Sequence, residues 1–323
     1  MSIRKIQEVK GSYYVYLLKD WCNKNNLKAN SLVKLEELPD GSLVVKPHEK
    51  IIKEKSIFKI NVENLDLKIL KQIIKAVYAI GADIVEIKVG KNIKLFELTE
   101  FIIKILATLP GLEIVEEFKD GVKLQNTGLG FDLPVVIRKL FTTVYSMLSS
   151  LSEAVKNNDI KLAESIINRD TEVDRNYMIV ERLSHLCVKN PFLLWGSNIT
   201  IIDILHFNIA GKYIERIGDH IVGLAYELVE KGKLDGNISE LIVSVISFYE
   251  KTNQIFFTKN FKEATPLLNQ CEILEDNIKR IFSSIEDRMQ VFHIRRIMRY
   301  CIDLAQIAYY QMLNKLAGTP IEL

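Results

Sequence analysis

The chain is predicted to be multidomain, with a small N-terminal β unit, a short α/β segment and an all-α C-terminal part made of two three-helix bundles. Three observations predict this. Residues 1–47 read as strands and turns around one short helix. Residues 51–127 alternate strand-type and helix-type patterns, and residues 132–318 repeat apolar positions at i, i+3, i+4 and i+7 with few breaks. At 323 residues, 48% hydrophobic and 26% charged, the composition is that of a globular protein long enough for two or three cores.

The bulk numbers narrow the classes of function. A net charge of +2, from 43 basic and 41 acidic residues, gives no whole-molecule field that would recruit nucleic acid or an anionic membrane, so any such binding has to be local. Cys22, Cys187, Cys271 and Cys301 are scattered without a C-x-x-C pair, which argues against a structural zinc site or a disulfide framework and for a reducing compartment. The apolar run FIIKILATL at 101–109 is interrupted by Lys104 and falls short of the roughly 18 residues a spanning helix needs. The start, MSIRKIQEVKG, has no apolar signal core. A soluble, cytoplasmic chain without a transmembrane segment is expected.

Within residues 1–47, Tyr13-Tyr14-Val15-Tyr16-Leu17 is β-rich and KDWCNKNNL has the look of a helix. SLVKLEEL and SLVV flank Pro39-Asp40-Gly41, a hairpin signal because Asp-Gly takes the positive φ a tight turn needs. So short a unit with so little apolar surface makes a poor independent core and is expected to gain one by dimerising. It is also locally basic: Arg4, Lys5, Lys10, Lys19, Lys24 and Lys28 face only Glu8 and Asp20 before residue 30. Those cations are either the solvated face of a dimerisation module or a surface that grips DNA phosphates, a contact that gives salt-dependent affinity without reading sequence.

The order of these pieces resembles the AbrB/SpoVT family of swapped-hairpin DNA-binding domains. The resemblance rests on the early Arg4-Lys5, the Gly11-Ser12-Tyr13-Tyr14 turn, the Lys19-Asp20-Trp21 helix start and the Asp40-Gly41-Ser42-Leu43 hairpin; Leu18 departs from the proline common there. It implies a homodimer that binds DNA through Arg4, Lys5, Lys10, Lys19 and Lys24.

In residues 51–127, SIFKINV and DIVEIKV read as strands, and LDLKILKQIIKAVYAIGA as an amphipathic helix ending at Gly81. LFELTEFIIKILATL is a second helix stopped by Pro110-Gly111, and LEIVEEF-KDG-VKLQN closes as a hairpin. No glycine-rich phosphate loop follows any strand. A linking role is expected for this α/β domain.

Residues 132–318 contain an internal repeat, with halves at about 132–232 and 237–318. Sliding the segment on itself pairs Ala163 with Ala264, Ile166-Ile167 with Leu267-Leu268, Val173 with Leu274 and Val180 with Ile281. A shorter slide pairs Ile214 with Met298, Asp219 with Asp303 and Leu224 with Ala308. The first half carries two acid-x-x-x-acid pairs, Asp170/Asp174 and Glu215/Asp219, and residues four apart stand one above the other on a helix face. If the two helices are neighbours, four carboxylates converge in the oxygen-rich setting that hard cations favour, or iron where water completes the shell. Gly218 would let a partner helix or a metal shell come close, at a helix cost of roughly 1 kcal/mol relative to alanine. A solvated acidic face answered by Arg216 and Arg182 accounts for the same spacing.

YIERIGDHIVGLAYEL and INRDTEVDRNYMIVERL resemble the signature helices of the PhoU family, whose members consist of two three-helix repeats. The resemblance implies a metal site, iron or zinc, at Asp170, Asp174, Glu215 and Asp219; magnesium or calcium also suits the donor type. The second half departs from the pattern. Arg299 stands where the first half has Glu215, so RYCID keeps only Asp303, and the remaining acids are Glu272, Glu275 and Asp276. A cation beside a metal opposes it, so this second site is expected to be weak, with an Arg299-carboxylate pair in its place. His206 and His220 share the helix of Glu215, and His220 adjoins Asp219, which allows a ligand role, although a lone histidine on a packed helix better fits a hydrogen-bonded structural one; His185 and His293 show no acidic or cysteine partner at ligand spacing. Tyr300, Tyr309 and Tyr310 fit helix packing.

Together the pieces predict a regulator of phosphate uptake and phosphate homeostasis, with a DNA-binding head and a metal-binding sensor body. Its expected partners are DNA, a second copy of itself, and a phosphate ABC transporter or signalling proteins. Two rivals stay open: an adaptor that docks to a phosphate transporter or signalling partner without binding DNA, and a metal-sensing or metal-storage protein. No nucleophile, cofactor loop or organic cofactor is suggested, so no enzyme is predicted.

Overall fold

The computed structural model describes residues 3–37, 41–48, 55–63, 66–90, 93–128, 130, 132–194, 197–258 and 261–315. It divides into two compact units, Met1–Lys55 and Ser56–Leu323.

In the first unit β1 (Gln7–Val9) and β2 (Ser12–Tyr14) form an antiparallel hairpin. Lys10 and Gly11 at its tip both have positive φ, 52° and 78°, as a tight turn matched to strand twist requires. Of the β-rich stretch Tyr13–Leu17, only Tyr13 and Tyr14 are in the strand, where Tyr14 pairs with Gln7. Helix α1 (Lys19–Lys24) follows, then β3 (Val33–Glu37) against β4 (Leu43–Pro47), the hairpin expected around Pro39-Asp40-Gly41. Pro39 and Asp40 lie outside the described residues. None of the described residues of this segment up to His48 is buried, and Ile6, Tyr13, Tyr16, Leu32 and Leu35 are each more than half exposed.

The second unit opens with the α/β layer. Its elements are β5 (Ile57–Val62), α2 (Leu67–Ala79), β6 (Ile84–Val89), α3 (Leu95–Leu106), β7 (Leu112–Phe118) and β8 (Gly121–Asn126). They build one four-stranded sheet in the order β5-β6-β8-β7, with β5 and β6 parallel across the α2 crossover and the other pairs antiparallel. Asp66 starts α2 by accepting from the Lys68 and Ile69 amides.

The helical part comprises α4 (Leu133–Asn157), α5 (Ile160–Asn168), α6 (Asp170–Lys189), α7 (Ile201–Lys231), α8 (Gly236–Thr258), α9 (Phe261–Ser284) and α10 (Arg288–Lys315). These are seven helices among the described residues, where six were expected. The extra boundary falls at Arg169, whose N–H bonds Ile166 O three residues back, so the turn tightens and α5 separates from α6. Helices α4, α6 and α7 pack mutually with α5 beside them, and α8, α9 and α10 form the second set. α10 lies along α7 and α8 along α4, which joins the two sets. The repeat is visible in burial: Ile166 and Leu267, Val173 and Leu274, Ile214 and Met298, and Leu224 and Ala308 are buried in both halves.

The expected boundary between 51–127 and 132–318 is a change of architecture inside one body of packing. Helix α2 lies against α6, and the buried apolar cluster runs unbroken from Leu70 to Met312. Arg182 of α6 fixes this junction. Its buried guanidinium donates to Tyr78 O and to Ala82 O (2.9 Å) and lies over the Tyr78 ring, so it caps the C-terminal end of α2 with a positive charge.

Candidate functional site

Helices α6 and α7 bring the two acid pairs of the first half together. Thr200 and Asp203 start α7 with reciprocal side-chain to backbone bonds, a capping box that fixes where its faces point. Along the α6–α7 contact, a Cβ added to Gly218 would sit 3.1 Å from Val173 Cγ1, and one added to Gly211 would sit 3.0 Å from Val180 Cγ1. The two glycines are seven residues apart and so are the two valines, in opposite chain order, as an antiparallel close approach demands. Gly218 is therefore a helix-approach position.

That approach sets Asp170 and Asp174 on α6 near Glu215 and Asp219 on α7. Burial pushes the Asp170 carboxyl above its ordinary pKa, with Asp174 and Glu215 adding to the rise. Burial likewise lifts Asp219, to about 6, reinforced by Glu215, Asp170 and Asp174 and opposed by Arg216. Asp170 thus feels Asp174 and Glu215, and Asp219 feels all three other acids.

What lies among them is a set of cations. Lys212 Nζ is 3.0 Å from Glu215 Oε2, Arg216 Nη1 is 3.1 Å from Asp219 Oδ2, and Lys75 Nζ, from α2, is 3.5 Å from Asp174 Oδ2. Arg216 answers the acids as expected, but Arg182 does not: its guanidinium is spent on α2. A cleft of about 470 Å³ opens here between α2, α6 and α7, lined by Lys75, Asp174, Tyr177, Glu181, Lys212 and Glu215 among others. Lys212 Nζ also sits over the Tyr177 ring at 4.6 Å. Among the described residues, no three carboxylate, histidine or cysteine groups close on one point as a metal-binding set. The donor chemistry fits a hard cation, while the side chains as placed are held by lysine and arginine.

The second half differs as the sequence suggested. Arg299 Nη1 pairs with Glu275 Oε1 at 3.1 Å, joining α10 to α9 at the positions that Glu215 and Asp174 occupy on α7 and α6. Asp276 is answered by Lys279 at 2.9 Å, and Glu272 is exposed. Burial raises the Asp303 carboxyl, with Arg299 and Arg296 pulling the other way.

The histidine contacts escaped sequence reasoning in one case. His220 Nδ1 lies 3.0 Å from His293 Nδ1, so one ring donates and the other accepts, which requires at least one neutral ring. Burial, then His293, Arg296 and Arg216, holds His220 down at about 4. The pair links α7 to α10 across 73 positions, and no local spacing could have shown it. His185 Nδ1 bonds Glu181 O one turn back, and His206 is buried on α7. Tyr300 stacks on Tyr213 and His220, as a packing role predicts, while Tyr310 is largely exposed.

In the first unit Arg4, Lys5, Lys10, Lys19 and Lys24 are all exposed: Arg4 and Lys5 precede β1, Lys10 sits at the hairpin tip, and Lys19 and Lys24 open and close α1. Among the described residues, no helix is long and apolar enough to cross a membrane.

Residues 137–228 match the family described as PhoU domain. The match runs from within α4 to within α7 and contains all four carboxylates. The uncharacterized protein MJ1641 of Methanocaldococcus jannaschii is 24% identical over 245 residues, covering 68% of this chain and 82% of that protein. The crystal structure of PhoU from Pseudomonas aeruginosa aligns with a TM-score of 0.46 at 14% identity, covering 57% of this chain and 96% of that one. That of the phosphate transport system regulatory protein PhoU from Streptococcus pneumoniae gives 0.44 at 16%, covering 59% and 96%.

Proposed function

We infer that this chain is a regulator of phosphate uptake, with residues 132–318 as its sensing body. The observation that carries this is the match of residues 137–228 to the PhoU domain, laid over the stretch that also holds the carboxylate cluster. The reading is tested by following transcription of phosphate-transport genes in cells with and without the chain. Loss of their response to phosphate is expected, and an unchanged response contradicts it.

Residues 1–47 are the output arm of this reading, a swapped-hairpin homodimer that holds DNA through Arg4, Lys5, Lys10, Lys19 and Lys24. Two features support it: no described residue there is buried, so its apolar side chains want a second copy, and the five cations are exposed. A signal would then act by binding two states of the protein unequally.

The carboxylate cluster is the proposed input. Asp170, Asp174, Glu215 and Asp219 would hold a metal cation, iron or zinc first, whose charge would compete with Lys75, Lys212 and Arg216 for these acids. The raised pKa values of Asp170 and Asp219, caused first by burial and then by the neighbouring carboxylates, favour it, since acids so placed gain from a shared cation. Purified protein dialysed without chelator is expected to retain metal, Glu215→Ala with Asp219→Ala to lose it, and Lys75→Met to retain more. Equal metal content in all three retires the assignment.

A further inference from the structure

The second half of the helical part, which lacks the full acid set, has a different asset. α10 and the residues leading into it line a cavity of about 1020 Å³. Arg288, Arg295, Arg296 and Arg299 all face it, and so do Phe292 and Tyr300. Their spacing, in steps of three and four along α10, places all six on one helix face. Two acids, Glu286 and Asp303, also line it, leaving an excess of positive charge.

A helix that stacks like charges three and four residues apart is destabilised by its own side chains. Part of that repulsion is answered internally: Arg299 pairs with Glu275, and Arg296 donates to the Tyr300 hydroxyl and lies over its ring at 4.8 Å. Tyr300 is in turn held by stacking on Tyr213 and His220 of α7. The result is a held aromatic wall beside a row of guanidinium groups. Phe292, still 47% exposed, extends that wall. Guanidinium groups match phosphate oxygens in geometry as well as charge, and the volume suits a ligand of nucleotide size.

We propose that this cavity binds a small phosphorylated polyanion, a nucleoside triphosphate or an inorganic oligophosphate, with its phosphates on Arg288, Arg295 and Arg299. In the nucleotide case the base lies against Phe292. The proposal stands on the cavity alone and is independent of the regulatory reading.

The test is calorimetric titration of the full chain, in chelator at low ionic strength, with ATP, tripolyphosphate and inorganic phosphate. ATP and tripolyphosphate are each expected to saturate at one per chain, with inorganic phosphate at least tenfold weaker. Arg288→Gln with Arg295→Gln, checked for an unchanged helical signal, is expected to weaken both by tenfold or more. Lys5→Ala with Lys10→Ala, which removes cations from the other basic segment, is expected to leave both within about twofold. Phe292→Leu separates the two sources: a loss of roughly fivefold or more for ATP alone assigns the base to that ring, in line with what stacking contributes. Equal behaviour of ATP and tripolyphosphate in that variant assigns the site to the oligophosphate. Absence of saturation in the wild type, unchanged affinity in the folded arginine variant, or loss in the lysine variant each overturns the proposal.

Discussion

Asp219 stands 35% exposed beside Arg216, yet its carboxyl is held at about 6 by burial and by three other acids. A carboxyl whose pKa is higher folded than unfolded keeps its proton longer in the native state, so stability falls as pH rises between about 4 and about 6. In chelated protein, Asp219→Asn should therefore match the wild type near pH 4 and exceed it above pH 6. The gain is on the order of 1 kcal/mol, because solvent screens a side chain this exposed. Thermal melts across pH 4–7 check it, and a constant difference over that range contradicts it. At this scale the sequence reveals the acids, since four-residue spacing fixes a helix face, but not what answers them. Lys75 reaches Asp174 from 99 positions away, through the packing of α2 on α6. Arg182 shows the converse, for it lies on the acid-bearing helix and serves α2 instead.

At the scale of elements, α6 is the part on which most depends, because it carries half of the acids, half of the glycine-valine approach and the bond to the α/β layer. Arg182→Met keeps the side chain's apolar bulk but removes two charge-assisted hydrogen bonds from a buried place, at a cost of about 2–3 kcal/mol. Arg182→Lys should recover little of this, since one ammonium cannot reproduce the fork that reaches both Tyr78 O and Ala82 O. Denaturant unfolding checks both, and a cost within 0.5 kcal/mol or so for Arg182→Met would contradict the junction's role. Most elements of this part follow from periodicity: β5, α2, β6, α3 and the β7–β8 hairpin lie where alternation and helical spacing place them. Two do not. The Tyr13–Leu17 stretch has strand-forming residues but a partner only three residues long, and the break at Arg169 arises from one tightened turn inside an uninterrupted apolar pattern. Both outcomes depend on pairing and hydrogen bonding that composition does not encode.

Across the whole molecule, the two halves of the helical part share a scaffold and divide its chemistry. Buried positions coincide from one half to the other, while Glu215 and Asp174 give way to Arg299 and Glu275, turning an acidic cluster into an ion pair beside a basic cavity. The repeat was legible because core positions tolerate little change in volume. The cavity was not, since it takes three-dimensional packing to set α10's arginines around open space. The first unit presents exposed apolar side chains and exposed cations, the surface on which the proposed regulation acts. The most direct measurement is transcription of phosphate-transport genes, phosphate-replete and phosphate-starved, in cells lacking this chain and restored with either the wild type or Arg4→Ala, Lys5→Ala, Lys10→Ala. The account predicts that the wild type restores the response to phosphate and the triple variant, present at equal level, does not. A response that never depended on the chain, or that the triple variant restores in full, would contradict it.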